Sequence, residues 1–253
     1  MKLVDKKAIV TGAASGIGRT AAIRMAGEGA AVLAVDVCET GLAETAAMAK
    51  EKGLALEVFR CDVSKENEVQ SAVACAMGLF GRIDVLVNIA GISTTKYVTE
   101  TSWADYTRLM DVNMGGCFLF TREVLKHMKV RRSGAIVNLA SELAFVGYPD
   151  LAAYTASKGA MVAFSRSVAL DAIRYGVRVN CVCPGATDTP IYWDGVTDAA
   201  ERQKMLEQVK VEKPIGRLIT TDEVAGGIIF MASEDASACV GAELVMDGGF
   251  IAI

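Results

Sequence analysis

A chain of 253 residues, 52% hydrophobic and 22% charged, has material for one large core. Its formal net charge of −4 and the absence of a basic cluster exclude an electrostatic binder of nucleic acid or anionic membranes. No run approaches the ~18 apolar residues that a membrane span requires. Apolar strands then alternate with helical stretches along the chain. Strands are expected at 7–11, 31–36, 55–61, 83–88, 134–140, 177–183 and 243–247. Helices are expected at about 17–28, 40–52, 65–80, 102–128, 152–175 and 221–232, the fourth being two helices broken near Asp111–Asn113. Each of the first six strands is bracketed by helices, which implies an α/β class: a doubly wound, seven-stranded parallel sheet with helices on both faces. There is no linker and no internal repeat, so residues 1–253 are read as a single domain.

The first strand runs into Gly12-Ala13-Ala14-Ser15-Gly16-Ile17-Gly18 and then a helical pattern. Strand, glycine turn and helix form the context of a dinucleotide fingerprint. Gly12 permits the tight turn, Gly16 lets a pyrophosphate approach the backbone, and Gly18 lets helix and strand pack closely. The helix N-terminus presents free N–H groups and positive dipole to phosphates. The second strand, Ala31 to Asp36, ends in a carboxylate about twenty residues after that turn, where an acidic side chain bonds the ribose hydroxyls of NAD and repels the extra phosphate of NADP. No basic residue occupies Ala13, Ala14 or Ser15, and Arg24 faces away by helical spacing, so NAD is favoured over NADP.

Tyr154 and Lys158 stand at i and i+4 in an Ala-rich helical stretch and share a helix face. A tyrosine alone ionises near pH ~10. A fixed cation nearby would lower that value and make the phenol a general acid/base.

With these pieces placed, the chain resembles the short-chain dehydrogenase/reductase superfamily over essentially its whole length, which implies a Rossmann fold. The resemblance rests on Thr11–Gly18, Cys61-Asp62-Val63, Asn88-Ile89-Ala90-Gly91, Asn113, Ser141, Tyr154, Lys158, Pro184-Gly185, Thr187-Asp188-Thr189 and Asp247-Gly248-Gly249. It implies a catalytic tetrad of Asn113, Ser141, Tyr154 and Lys158. Asn113 would hold a water linking Lys158 to solvent, Ser141 would bond the substrate oxygen, and Lys158 would also bond the nicotinamide ribose. It implies cofactor contacts at Gly12, Ser15, Gly16, Ile17 and Gly18 in the turn, and at Asp36, Asp62 and Val63 for the adenosine. Asn88, Ala90 and Gly91 after the fourth strand, Tyr154, Lys158, and Pro184, Gly185, Thr187 and Thr189 over the nicotinamide complete that set. Ile89 departs from the family's second asparagine in this motif. Glu142 beside Ser141 is unusual, and reads either as a solvated carboxylate or as a contact to a polar substrate.

The segment 189–214 breaks the strand–helix rhythm and reads as a substrate lid. Ile191, Tyr192 and Trp193, with Leu143, Phe145 and Tyr148, suggest a mostly apolar pocket, and Ser141, Leu143, Tyr148, Tyr154, Ile191 and Trp193 are its candidate substrate contacts. The implied activity is an NAD-dependent interconversion of a secondary alcohol and a ketone on a small hydroxy or oxo compound. A 3-oxoacyl-thioester reductase (acting on the acyl-carrier protein) and a non-catalytic nucleotide-binding regulator are the alternatives. The seven cysteines lack Cys-x-x-Cys pairing, Cys181 and Cys183 fall on one strand face, and no export signal is read, so a cytoplasmic protein with free thiols is expected. His127 has no partner at ligand spacing, and no metal site is expected. Family likeness implies a homotetramer built on the two long helices near 113–128 and 152–175 and on the C-terminal strand. The tail Phe250–Ile253 reads as burial either at a subunit contact or near the active site.

Overall fold

The structure is a computed structural model and describes residues 1–252. Seven strands form one all-parallel sheet: β1 (Lys7–Thr11), β2 (Ala31–Asp36), β3 (Glu57–Arg60), β4 (Val85–Asn88), β5 (Gly134–Leu139), β6 (Val177–Pro184) and β7 (Glu243–Met246). Their spatial order is β3-β2-β1-β4-β5-β6-β7. The chain moves outward from β1 to β3, then returns to place β4 on the other side of β1. That reversal opens a crevice at the carboxyl ends of β1 and β4, where ligands of doubly wound sheets bind.

Side chains alternate across the sheet with period 2. Ala8, Val10, Val32, Ala34, Val85 and Val87 face one layer, containing α1 (Gly16–Gly27) and α8 (Thr221–Ala232). Ile9, Leu33, Val35 and Leu86 face the other, with α3 (Glu66–Phe80), α5 (Gly116–Arg131) and α6 (Ala152–Ile173). Phe120 of α5 is fully buried there, worth roughly 2–3 kcal/mol by burial of its apolar surface. α8 starts with a capping box, Thr220 accepting from the Glu223 N–H while Glu223 accepts from the Thr220 N–H. α2 (Glu39–Glu51) completes the first layer, contributing Leu42.

The strands and helices expected from the sequence appear within a few residues of their expected limits, with two differences. The break near Asp111–Asn113 is not an interruption: α4 (Trp103–Met110) continues into α5 through a π turn at Asp111–Gly115. The lid is not structureless, since it contains α7 (Ala199–Glu212), capped by the Asp198 side chain accepting from the Glu201 N–H. Among the described residues no helix is long and apolar enough to cross a membrane, and no cluster of potential metal ligands occurs. All seven cysteines are free, and Cys181 and Cys183 are buried on one face of β6 as expected.

The glycine turn carries a steric demand. Gly12 has φ +71°, and a Cβ there would lie 2.8 Å from the Ala90 nitrogen. A Cβ on Gly18 would collide with the Gly12 carbonyl oxygen. We expect Gly18→Ala to lower Tm by roughly 2–12 °C, since overpacking costs ~1–3 kcal/mol and a domain of this size loses ~2–4 °C per kcal/mol. Differential scanning fluorimetry reads this directly, and an unchanged Tm would show that the turn relaxes freely.

Candidate active site

A cleft of about 1390 Å³ runs across the carboxyl ends of the strands. At one end it is lined by Gly12, Ser15, Gly16, Ile17 and Gly18 from the turn into α1. Ser15 is the N-cap residue of α1 but its side chain makes no capping bond, so the first N–H groups of the helix are not spent on a side chain. Asp36 lines the cleft at the end of β2, its Oδ2 accepting from the Ala14 N–H and its Oδ1 from the Cys38 N–H, both at 3.0 Å. Arg19, the nearest cation in the turn, is tied to Thr45, Glu44 and the Ala14 carbonyl. Asp62 and Val63 line the cleft after β3. Burial opposes ionisation of Asp62, but bonds from the Ser64 hydroxyl and N–H prevail and hold its carboxyl below the usual range.

Ala90 and Gly91 line the cleft, but Asn88 does not. Its amide donates to Asn138 at 2.8 Å and to Thr121 at 3.2 Å inside the fold. Through this nitrogen Asn88 makes a buried polar link between β4, β5 and α5, while its Oδ1 has no hydrogen-bond partner. Pro184, Gly185, Thr187 and Thr189 all lie on the cleft wall after β6.

At the other end stand Ser141, Tyr154 and Lys158. Ser141 closes β5, and its hydroxyl accepts from the Leu143 N–H at 3.1 Å, capping a single 3-10 turn at Glu142–Ala144. Lys158 is 3% exposed, and its ammonium donates to the Leu139 carbonyl at 2.7 Å. Burial pushes the Lys158 ammonium down to about 8. Its nitrogen lies 5.6 Å from the centre of the Tyr154 ring. The Tyr154 phenol is not lowered as the i, i+4 spacing suggested. Burial raises it to about 12, the Ser141 hydroxyl beside it pulling it down and the Glu142 charge pushing it up.

Asn113 is held inside the fold. It is fully buried in the π turn, accepting from the Ile92 N–H at 2.8 Å and donating to the Ile92 carbonyl and the Ser157 hydroxyl, each at 3.0 Å. Ser157 in turn donates to the Tyr154 carbonyl at 2.7 Å. The amide braces α6 against the loop after β4, and both of its N–H donors are used.

Of the candidate substrate contacts, Ser141, Leu143, Tyr148, Tyr154 and Ile191 reach the cleft, while Trp193 does not, nor does the neighbouring Phe145. Trp193 donates to Asp188 at 2.6 Å and lies under Arg202, whose guanidinium is 4.2 Å from the ring centre. Tyr192 reaches the cleft in its place. The lining is mostly apolar, as expected, and α7 adds Met205 and Val209 to it together with the polar Gln208 and Glu212, followed by Lys213. The sequence signal for α7 was available: Met205, Gln208, Val209 and Glu212 recur at helical spacing behind the Asp198 cap. Glu142 is neither solvated nor free; it is buried and its Oε1 lies 2.5 Å from the Lys213 ammonium.

A family model described as enoyl-(acyl carrier protein) reductase matches residues 12–251. A 2-(R)-hydroxypropyl-CoM dehydrogenase of Xanthobacter autotrophicus is 40% identical, with 99% of this chain and 100% of that protein covered. Among solved structures, levodione reductase superposes with a TM-score of 0.95 at 32% identity, covering 99% of both chains. A gluconate 5-dehydrogenase from Burkholderia cenocepacia, solved in complex with NADP and tartrate, gives 0.92 at 32% identity, covering 100% of this chain and 97% of that one. Parallel order, glycine turn and the Ser141–Tyr154–Lys158 grouping agree with these likenesses, and the chain belongs to the short-chain dehydrogenase/reductase superfamily of oxidoreductases.

Proposed function

We propose that this protein is an NAD-dependent oxidoreductase interconverting a secondary alcohol and a ketone, with Tyr154 as general acid/base. The observation that carries this reading is that Ser141, Tyr154 and Lys158 share one cleft with the glycine turn and Asp36. The residues present fit a dinucleotide. The start of α1 is uncapped by side chains, Gly12 and Gly18 let the turn close against backbone where a Cβ would clash, and Asp36 is held at the cleft wall. Gly12–Gly18 would hold the pyrophosphate, Asp36 the adenosine ribose, Asp62 and Val63 the adenine side, and Pro184–Thr189 the nicotinamide side. A bound nicotinamide cofactor accepts or supplies the hydride, and proton handling falls to the protein.

With its phenol pushed up to about 12, Tyr154 is protonated at neutral pH and ready to donate to a ketone oxygen. Ser141 donates to the same oxygen and stabilises its developing charge. Lys158 holds its charge against the Leu139 carbonyl next to the phenol. Asn113 acts as a positioning residue through Ser157, because its amide donors are spent there and on Ile92. The segment 189–214, with α7 at its centre, serves as the lid. Exposed apolar side chains on α5 and α6, Phe118, Leu170 and Ile173, support a homotetramer built on those helices, and the free thiols fit a cytoplasmic location.

Asp36 favours NAD, because its carboxylate would face the extra phosphate of NADP and Arg19 is already paired. The second reading is an NADP-dependent 3-oxoacyl-thioester reductase, favoured by the acyl-carrier-protein description of the matching family model and by the NADP found in a structural relative.

NADH formation over a panel of secondary alcohols, diols, hydroxysteroids and 3-hydroxyacyl thioesters, with NADP in parallel, separates the two. Turnover confined to NADP and acyl thioesters would replace the first reading with the second. Tyr154→Phe should reduce kcat by about 10²–10⁴-fold while NAD binding persists, and near-normal kcat would remove Tyr154 from its role. Asp36→Ala should weaken NAD by at least about tenfold, the loss of roughly one good ribose contact, and raise relative use of NADP; an unchanged cofactor ratio would refute the role of Asp36. Because the acid form of Tyr154 is needed for reduction and the base form for oxidation, kcat/KM for alcohol oxidation should rise with pH through the alkaline range. The corresponding value for ketone reduction should stay level over the same range and fall only as pH approaches the phenol's value of about 12. Parallel profiles in the two directions would contradict this assignment.

A further inference from the structure

The lid helix turns one stripe toward the cleft, with Met205, Gln208, Val209 and Glu212 at i, i+3, i+4 and i+7. Tyr148, from the loop after Ser141, donates its hydroxyl to Glu212 Oε2 at 3.1 Å. Gln208 Nε2 donates to Glu212 Oε1 at 2.6 Å and lies 3.4 Å from the Tyr148 hydroxyl. These three polar groups form a connected set on the cleft wall, away from the strand that carries Ser141.

The charge around them is negative. Lys213, the residue after Glu212, is buried, bonded to Glu142 Oε1 at 2.5 Å and covered by the Phe250 ring at 3.2 Å from its centre. Its charge is already spent on Glu142. The second oxygen of Glu142, Oε2, is buried without a hydrogen-bond partner, as is Asp150 Oδ1 on the same loop. Asp247 faces Glu142 as well, its two oxygens accepting from the Gly249 and Ile251 N–H groups. Tyr148 and Tyr192 both have their phenols raised, by burial first and then by Glu212 and Glu142. Apart from Lys158, the other cations on the cleft wall are Lys65 and Arg108, exposed on the cap of α3 and on α4, where solvent screens them.

Resting on the alcohol–ketone reading above, we propose that Tyr148, Gln208 and Glu212 bind the non-reacting end of the substrate, and that this end is a neutral hydroxylated group. Such a hydroxyl donates to Glu212 or Tyr148 and accepts from Gln208 in place of the long 3.4 Å Gln208–Tyr148 contact, replacing its bonds to water. A carboxylate, sulfonate or phosphate in the same place meets Glu212 and the orphaned oxygen of Glu142 with no unpaired buried cation beside them to balance it.

Three cyclohexanols that differ only at C4 isolate this end of the ligand: 4-methyl, 4-hydroxymethyl and 4-carboxylate. Binding to the protein in saturating NADH is measured by titration calorimetry, and turnover with NAD in parallel. The hydroxymethyl compound should bind about tenfold tighter than the carboxylate, with the methyl compound between them, as like-charge juxtaposition demands. Glu212→Gln should raise carboxylate affinity and narrow the gap to about threefold or less. Glu142→Gln, which leaves Lys213 free, should do the same; if that variant fails to fold, the half-buried Glu212 position still decides. Carboxylate binding as tight as the diol, no binding of the diol, or a gap untouched by Glu212→Gln overturns the proposal. The expected ranking without hydride transfer from any of the three supports this polar wall and counts against the dehydrogenase reading alone.

Discussion

The hydrogen bond from the Lys158 ammonium to the Leu139 carbonyl is the contact on which the catalytic end depends. An ammonium that is 3% exposed requires a partner, because desolvating an unpaired charge costs several kcal/mol. The carbonyl it uses belongs to the last residue of β5, two positions before Ser141. The bond therefore pins α6 to the end of β5, and with it the phenol of Tyr154 beside the hydroxyl of Ser141. Asn113 pins the same helix from the opposite side through Ser157. Two buried polar contacts, from different elements, thus hold one acid and one hydroxyl at a common wall of the cleft.

The rest of the cleft follows from sheet order. Placing β4 beside β1 brings the Ala90 backbone against Gly12, and this close approach permits no side chain on the glycine. The turn that results leaves the start of α1 open at the crevice, with Asp36 beside it. Chemistry and cofactor cradle are therefore on one face because every strand is parallel and every carboxyl end points the same way.

Much of this was legible in the residues. Alternation of apolar strands and helices specified the parallel sheet, since strands covered on both faces read as continuous apolar runs, as in Ala31–Val35. The glycine turn and the Tyr154–Lys158 pair were readable because their spacing is local, within one turn or one helix; Asp36 was readable from its place at the end of the next strand, and Ser141 from the family resemblance. What escaped depends on long-range contacts. The Asn88 amide nitrogen donates to Asn138 and Thr121, and the Asn113 amide pairs with Ile92 and Ser157, partners distant in sequence. The phenol of Tyr154 responds to burial, which spacing along a helix does not report. Glu142 finds Lys213 71 positions away, and Trp193 turns to Asp188 and Arg202 rather than to the cleft. The helix α7 was missed for another reason: its exposed, charged composition hides a stripe that faces a cavity rather than a core.

The π turn at Asp111–Gly115 sets the phase between two helices. A π turn holds one more residue than an α turn, and each residue of an α-helix advances the face by about 100°. The stretch from Trp103 to Arg131 is therefore two helices out of phase by one residue, sharing a single continuous backbone. Upstream of the wide turn, Ala104, Thr107 and Arg108 address the cleft; downstream, Phe120 and Val124 address the sheet. Deleting one residue within the turn would restore a regular helix and rotate one half against the other. A single-residue length change would then swing either the cleft-facing or the sheet-facing stripe out of place, so the length of this segment is constrained more tightly than the identity of its exposed side chains.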